Sequence, residues 1–192
     1  MIPEPAPTSY EVSSTYLGGF VRSLRKANLL TPDVLAALGP AQRDMIASPH
    51  SRPWWDGETT EVIVRAVLNA HGAAQLEAVG LDNTTNSVGP IITPLLSVIG
   101  AIFGLDPSEL FSRMGDLAST SVKNVSLEWK RALRRAGELR VVYPRALGGT
   151  TVEPLWRGAC RFVFQTSRVP GEIVSSHVDG STITFSLKWS RA

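Results

Sequence analysis

Val88-Gly-Pro-Ile-Ile-Thr-Pro-Leu-Leu-Ser-Val-Ile-Gly-Ala-Ile-Phe-Gly-Leu105 is the longest apolar run in the chain, and no charged residue occurs between Asp82 and Asp106. Two readings compete for it, a membrane span and a core helix. A span needs about 18 consecutive apolar residues with few breaks. Here Pro90 and Pro94 punctuate the start, and Gly100 and Gly104 the end. Proline is tolerated in the first turn of a helix, where its missing N–H has no partner anyway. Thr93 then serves as N-cap, and the helix runs from Pro94 to Gly104. At about 1.5 Å per residue that is roughly 16 Å, too short for a hydrocarbon core of about 30 Å. The stretch therefore predicts a central helix buried on most faces, around which amphipathic helices pack.

Composition agrees with a soluble domain. The chain has 192 residues, 43% of them hydrophobic and 19% charged, which is long enough to bury a core. The start carries no basic region and no apolar signal core, and its prolines suggest an extended arm over residues 1–9. One cysteine, Cys160, makes no internal disulfide and suits a reducing compartment. The expected location is cytoplasmic, and the expected organisation is one domain over residues 10–192.

Upstream of the central stretch the pattern is helical. Val12, Tyr16, Phe20 and Leu24 share one face over Tyr10–Ala27. Gly18-Gly19 interrupts it: either the helix starts later or another element approaches closely there. Asn28 ends it. Thr31-Pro32-Asp33 reads as N-cap and N1 proline, and a brief helix follows over Ala41–Ala47. Ser48–Gly57 is irregular and contains Trp54-Trp55, one expected as an anchor and the other open to contact. Asp56–Gly72 is the clearest amphipathic helix, capped by Thr59 or Thr60. A helix over Ala73–Val79 stops at Gly80, and Leu81–Gly89 is a polar loop.

Downstream, Asp106 caps a helix that opens with Pro107. Val122, Val125, Leu127, Trp129, Ala132 and Leu133 extend helical spacing to Gly137, read as a C′ glycine. Glu138–Tyr143 alternates and is β-branched, so it is a strand. Glu153–Val169 has helical spacing. Glu172–His177, the Asp179-Gly180 turn and Thr182–Trp189 form a hairpin. The fold class is α+β: a helical body around the central apolar helix, with a small C-terminal antiparallel sheet.

The order of parts then resembles a known family. Trp54-Trp-Asp-Gly57 precedes a helix; Gly72 and Gly80 follow; then come the Pro94–Gly104 helix and a helix ending in Trp129. Trp156-Arg-Gly-Ala-Cys160, Pro170-Gly-Glu-Ile-Val174 and the closing strand complete it. This resembles a group of paralogous proteins restricted to myxobacteria. It is also distantly similar to the superfamily of haem–nitric-oxide-binding domains, 4-vinyl-reductase domains and TRAPP-type trafficking subunits. The resemblance covers about residues 10–190 as a pattern of elements. It implies a helical body, a C-terminal antiparallel sheet and a ligand cavity between them. Haem does not carry over: those domains use an axial histidine and a Tyr-x-Ser-x-Arg signature, and Tyr143-Pro-Arg145 lacks the serine and the spacing.

No complete catalytic motif is present. His50, His71 and His177 have no second ligand at i+3 or i+4, so no metal site is expected. No Gly-x-Ser-x-Gly occurs, and neither glycine pair belongs to a nucleotide fingerprint. From Lys123 to Arg168 ten basic residues face three acidic ones. Lys130, Arg131, Arg134, Arg135 and Arg140 form the densest part, with two i, i+4 pairs that make a cationic ridge if the segment is helical. Such a ridge meets an anionic surface or partner, or simply complements a helix C-terminus. Nucleic-acid binding wants more charge and stacking aromatics.

The function expected is a non-enzymatic, regulatory or scaffold domain. It holds a small apolar ligand or a protein partner, with no cofactor, and leaves homo-oligomer formation open. The candidate pocket wall is Ile99, Ile102, Phe103, Trp129 and Trp156. The alternatives are an enzyme using His50, Asp56 or His177, and a peripheral protein using the basic ridge.

Overall fold

The computed structural model describes residues 8–87, 106–146 and 151–190. The anticipated central helix Pro94–Gly104, with Ile99, Ile102 and Phe103, lies outside the described residues, as does most of the anticipated arm.

The first strand is β1 (Glu11–Ser13), followed by α1 (Ser14–Lys26), α2 (Pro32–Ala36), α3 (Pro40–Ala47), β2 (Trp54–Asp56), α4 (Gly57–His71) and α5 (Ala73–Ser87). Next come α6 (Pro107–Ser119), β3 (Val122–Lys123), β4 (Ser126–Leu133), β5 (Ala136–Val142), α7 (Glu153–Ser167), β6 (Gly171–Asp179) and β7 (Thr182–Trp189). The fold is α+β. A three-stranded sheet in the order β2-β1-β3 pins the start of the chain to the middle, and a four-stranded antiparallel sheet has the order β4-β5-β7-β6.

Side-chain caps set several helix starts. Ser13 Oγ accepts the Tyr16 N–H and Thr31 Oγ1 the Val34 N–H. Asp106 Oδ1 accepts the Ser108 N–H at 3.0 Å, ahead of Pro107 at the first helical position. The cap of α4 is Asp56, whose Oδ2 accepts the Thr59 N–H at 2.8 Å; this corrects the expectation of Thr59 or Thr60. The cap position lies just before the first helical residue, and the two threonines are already inside. Asn28, at φ 55°, turns the chain after α1.

Glycines decide how closely the helices approach. Helix α1 runs straight through Gly18-Gly19, and the glycines serve a close approach: a Cβ on Gly19 would clash with Asn83 Oδ1 of α5. Helix α5 does not stop at Gly80 but continues to Ser87, correcting the polar loop expected there. The backbones of α5 and α7 touch at this point. A Cβ on Gly80 would lie 2.5 Å from Leu155 O, and one on Gly158 would lie 2.4 Å from both Glu77 O and Leu81 N. Burial against α7 offsets the weak helix propensity of Gly80 and of the Asn-Thr-Thr-Asn run. Thr84 Oγ1 and Thr85 Oγ1 return their hydrogen bonds to the carbonyls four residues back.

The segment 122–137 is the main correction. It is not a helix but a short strand, a β-strand and the start of a third. Strand pairing places Trp129 opposite Leu139 and Leu127 opposite Val141 on one face, while Glu128 faces Arg140 and Lys130 faces Glu138 on the other. Gly137 is no helix cap. It lies in β5 beneath the Trp129 ring, where a Cβ would meet Cη2 at 2.2 Å. The inner face of the sheet continues through Ile183, Phe185, Leu187 and Trp189 of β7, all buried. Phe111 of α6 joins this layer by stacking on Trp129 with ring centroids 4.9 Å apart, and Phe164 of α7 meets Phe111 edge-on.

Candidate functional site

Where β1, α1, α4, α5, α6, β3 and α7 converge they leave a cavity of about 110 Å³. Val64 comes from α4, Leu110 and Met114 from α6, and Leu155, Ala159 and Val163 from α7. The convergence follows from the glycine contact. With α7 drawn against α5 at Gly80 and Gly158, the adjoining face of α7 presents Leu155, Ala159 and Val163 to the cavity that α4 and α6 also line. No charged side chain lines the cavity among the described residues.

Three tyrosines share its polar edge with Thr60, Thr84, Ser121 and Thr166. Tyr10, Tyr16 and Tyr143 line it, with Tyr10 and Tyr143 in edge-on contact at 4.9 Å between ring centroids. The Tyr10 hydroxyl lies 2.9 Å from Glu61 Oε1 and 3.1 Å from Gly57 O. The Tyr143 hydroxyl accepts the indole N–H of Trp156 at 2.8 Å. Burial, above all, holds all three phenols above the ordinary tyrosine value, so they stay neutral at any physiological pH. The neighbouring phenol of Tyr143 and the Glu61 carboxylate add to this effect at Tyr10.

Behind Tyr10 a charge cluster closes the wall. Arg145 Nη2 lies 3.1 Å from Glu61 Oε1, and its Nε lies 2.8 Å from Glu58 Oε1. The Glu61 side chain is only 5% exposed, so it depends on this pairing. The Arg145 Nε contact to Glu58 is close but poorly aligned for a hydrogen bond.

The anticipated site residues separate. Trp156 lines the cavity. Trp129 lies in the aromatic layer instead, between Phe111 and Trp189. The cationic ridge does not exist as a helix face, because pairing across β4 and β5 alternates its members between two sheet faces. Arg140 pairs with Glu128 at 3.3 Å, and Lys130 stands opposite Glu138. Arg134 and Arg135 form the hairpin turn. Arg131 reaches Asp106 at 3.5 Å and donates to Arg134 O at 3.0 Å. His50 is exposed beside Gly18, Asp56 is an exposed helix cap and His177 is exposed on β6, so these three do not share a pocket. His71 lies 3.1 Å from Leu29 O. Among the described residues no three His, Cys, Asp or Glu side chains are grouped to hold a metal. No helix among them is long and apolar enough to cross a membrane.

The tyrosines were missed at the sequence level. Tyr16 and Tyr143 fall within periodic patterns that mark them as buried, but periodicity does not distinguish a core ring from one that lines a cavity, and Tyr10 sits just before β1. Their signal is a polar-tipped ring beside an otherwise apolar run.

No family model matches this chain, and no curated protein does. Solved structures do match in fold. A structure from work on haem distortion in the H-NOX family matches with a TM-score of 0.58 and 14% identity, over 93% of this chain and 95% of that one. A second, from work on the mechanism of H-NOX activation, gives 0.55 and 14% over 93% and 97%. An oxygen-binding H-NOX domain related to soluble guanylate cyclases, in its oxygen complex, gives 0.54 and 14% over 93% and 95%. The fold of this chain is therefore H-NOX-like.

Haem does not fit the residues present. No histidine occurs between His71 and His177, and none lines the cavity. Arg145, the cation that follows β5, is already committed to two glutamates, leaving nothing there to neutralise haem carboxylates. A cavity of about 110 Å³ is also far below the size of a porphyrin; pockets for drug-sized ligands alone run from about 300 to 1,000 Å³.

Proposed function

We propose that this chain is a haem-free, non-enzymatic sensor or regulatory domain on an H-NOX-like scaffold, whose ligand is a small apolar molecule held in the cavity beside Trp156. The observation that supports this reading is the cavity at the meeting point of seven elements, uncharged among the described residues. Close-packed interiors rarely keep voids larger than a water molecule. Apolar cavities of about 150 Å³ take benzene or xenon, and this partly open one, of about 110 Å³, is of that order. In this reading the ligand signals by altering how α6 and α7 sit against the four-stranded sheet, since both line the cavity and both pack on that sheet through Phe111 and Phe164. The myxobacterial group that the sequence resembles would then be a branch of the superfamily that lost the cofactor and kept the chamber.

Benzene titration followed by protein NMR tests the reading. Saturable one-to-one binding that moves the Val64, Leu110 and Ala159 methyl signals supports it. Ala159→Leu, which fills the cavity from α7, should abolish that binding while the protein remains folded. Benzene shifts that never saturate, or that persist unchanged in Ala159→Leu, would overturn it. So would stoichiometric haemin binding with a sharp Soret band.

A further inference from the structure

The buried hydroxyls around the cavity differ in what is left for a ligand. Of the lining residues that carry one, Tyr10, Thr60, Thr84 and Tyr143 are below 10% exposed, whereas Tyr16, Ser121 and Thr166 keep partial exposure to solvent. Tyr10 is engaged with Glu61 and Gly57 O. Thr60 Oγ1 donates to Asp56 O at 3.1 Å and Thr84 Oγ1 to Gly80 O at 2.8 Å. Tyr143 is different. Its oxygen receives the Trp156 indole N–H, and among the described residues nothing accepts its own proton. Its relative exposure is 5%, so water does not readily serve it either. A buried hydroxyl whose proton no described residue accepts, facing an apolar cavity, is a donor for a ligand's acceptor.

Resting on the cavity reading above, we infer that the ligand is a small neutral molecule, largely hydrocarbon, carrying one hydrogen-bond acceptor such as a carbonyl or ether oxygen, which the Tyr143 hydroxyl binds. Trp156 orients that hydroxyl. The indole N–H occupies one lone pair of the phenol oxygen and turns the O–H away from itself. Burial keeps the phenol protonated, so it donates rather than accepts. A neutral ligand is favoured over a charged one, because among the described residues the lining offers no counter-charge for a desolvated ion. When the O–H donates to a ligand, the phenol oxygen becomes a better acceptor and the Trp156 bond strengthens. The indole N–H is thus a reporter built into the site.

The test compares cyclopentanone with methylenecyclopentane, which share shape but differ in the acceptor. In the wild-type protein, cyclopentanone should move the Trp156 indole N–H resonance downfield on saturation, and methylenecyclopentane should not. Tyr143→Phe should weaken cyclopentanone about five- to tenfold, the worth of one neutral hydrogen bond, and leave methylenecyclopentane within about twofold. Equal loss for both ligands, or none for either, would overturn the inference, as would equal indole shifts in the wild type. Should Tyr143→Phe not fold, the indole shifts in the wild type decide alone. If neither compound binds but benzene does, this inference falls and the cavity reading stands. If benzene fails as well, both fall.

Discussion

Gly158→Ala is the substitution whose sign separates local propensity from packing. In an exposed helix, alanine is about 1 kcal/mol better than glycine, so propensity alone predicts a more stable protein. At Gly158 the added Cβ would lie 2.4 Å from Glu77 O and from Leu81 N, and 2.7 Å from Gly80 C. These are backbone atoms of α5, and none can swing aside. Restoring an ordinary contact of about 3.4 Å means parting the two helices by roughly 1 Å. That movement also stretches the Arg157–Glu77 ion pair, now 3.2 Å, and loosens Leu155 and Ala159 at the cavity wall. Overpacking costs about 1–3 kcal/mol, and three immovable backbone atoms under 3 Å put this site at the upper end, about 2–3 kcal/mol. Set against the propensity gain, a net loss of about 1–2 kcal/mol is expected, or a melting temperature lower by roughly 2–8 °C for a chain of this size. Urea unfolding at 25 °C measures it. Gly115→Ala is the control, because in α6 the same Cβ meets its nearest atom, Leu127 O, at 3.4 Å. It should be neutral or stabilising by up to about 1 kcal/mol. A Gly158→Ala protein as stable as the wild type would refute the close α5–α7 contact and the cavity geometry that depends on it.

Other substitutions probe the polar wall and the buried thiol. Arg145→Ala strands Glu61 in the interior and should cost about 2–4 kcal/mol in the same urea assay, whereas Arg140→Ala, whose pair with Glu128 is open to solvent, should cost under about 1 kcal/mol; equal losses would contradict the buried role given to Glu61. The hydrogen bonds from Lys26 and Ser23, in that order, hold the Asp82 carboxyl below its usual range. Its contribution is therefore complete above the unfolded-state value of about 4 and is lost as pH falls from there through the lower folded value. Asp82→Asn should flatten that part of the stability profile by under about 1 kcal/mol, since Lys26 is largely exposed; an unchanged acid limb would count against it. Burial pushes the Cys160 thiol up, and the side chain has no exposed surface. A thiol reagent at pH 8 should therefore react with it only after unfolding, and rapid labelling of the native protein would contradict its placement.

Much of the fold was legible because caps and alternation are local. Thr31, Asp106 and Pro107 mark helix starts by chemistry that needs no tertiary contact, and the strict alternation from Ile183 to Trp189 needs only one buried face. The misreadings share a different cause. Gly80 as a stop and Gly80 as a contact are the same residue in the sequence; only the arrival of α7 tells them apart. Strand β4 looked helical because Val122, Val125, Trp129 and Leu133 fall three and four residues apart. Yet β4 is an edge strand with a largely exposed surface, so its own alternation is faint, and Leu133 is 72% exposed. The cationic ridge went with that helix. Trp156 could be nominated from one element, whereas its partner Tyr143 could not, because the two lie 13 residues apart, one in α7 and one just after β5, and only the folded chain brings them within 2.8 Å.

Diffraction from crystals held under xenon pressure tests the cavity most directly. The account predicts one well-occupied xenon site among Val64, Leu110, Ala159 and the Tyr143 ring, lost in Ala159→Leu. A cavity region without xenon, in crystals where xenon binds elsewhere, would contradict it.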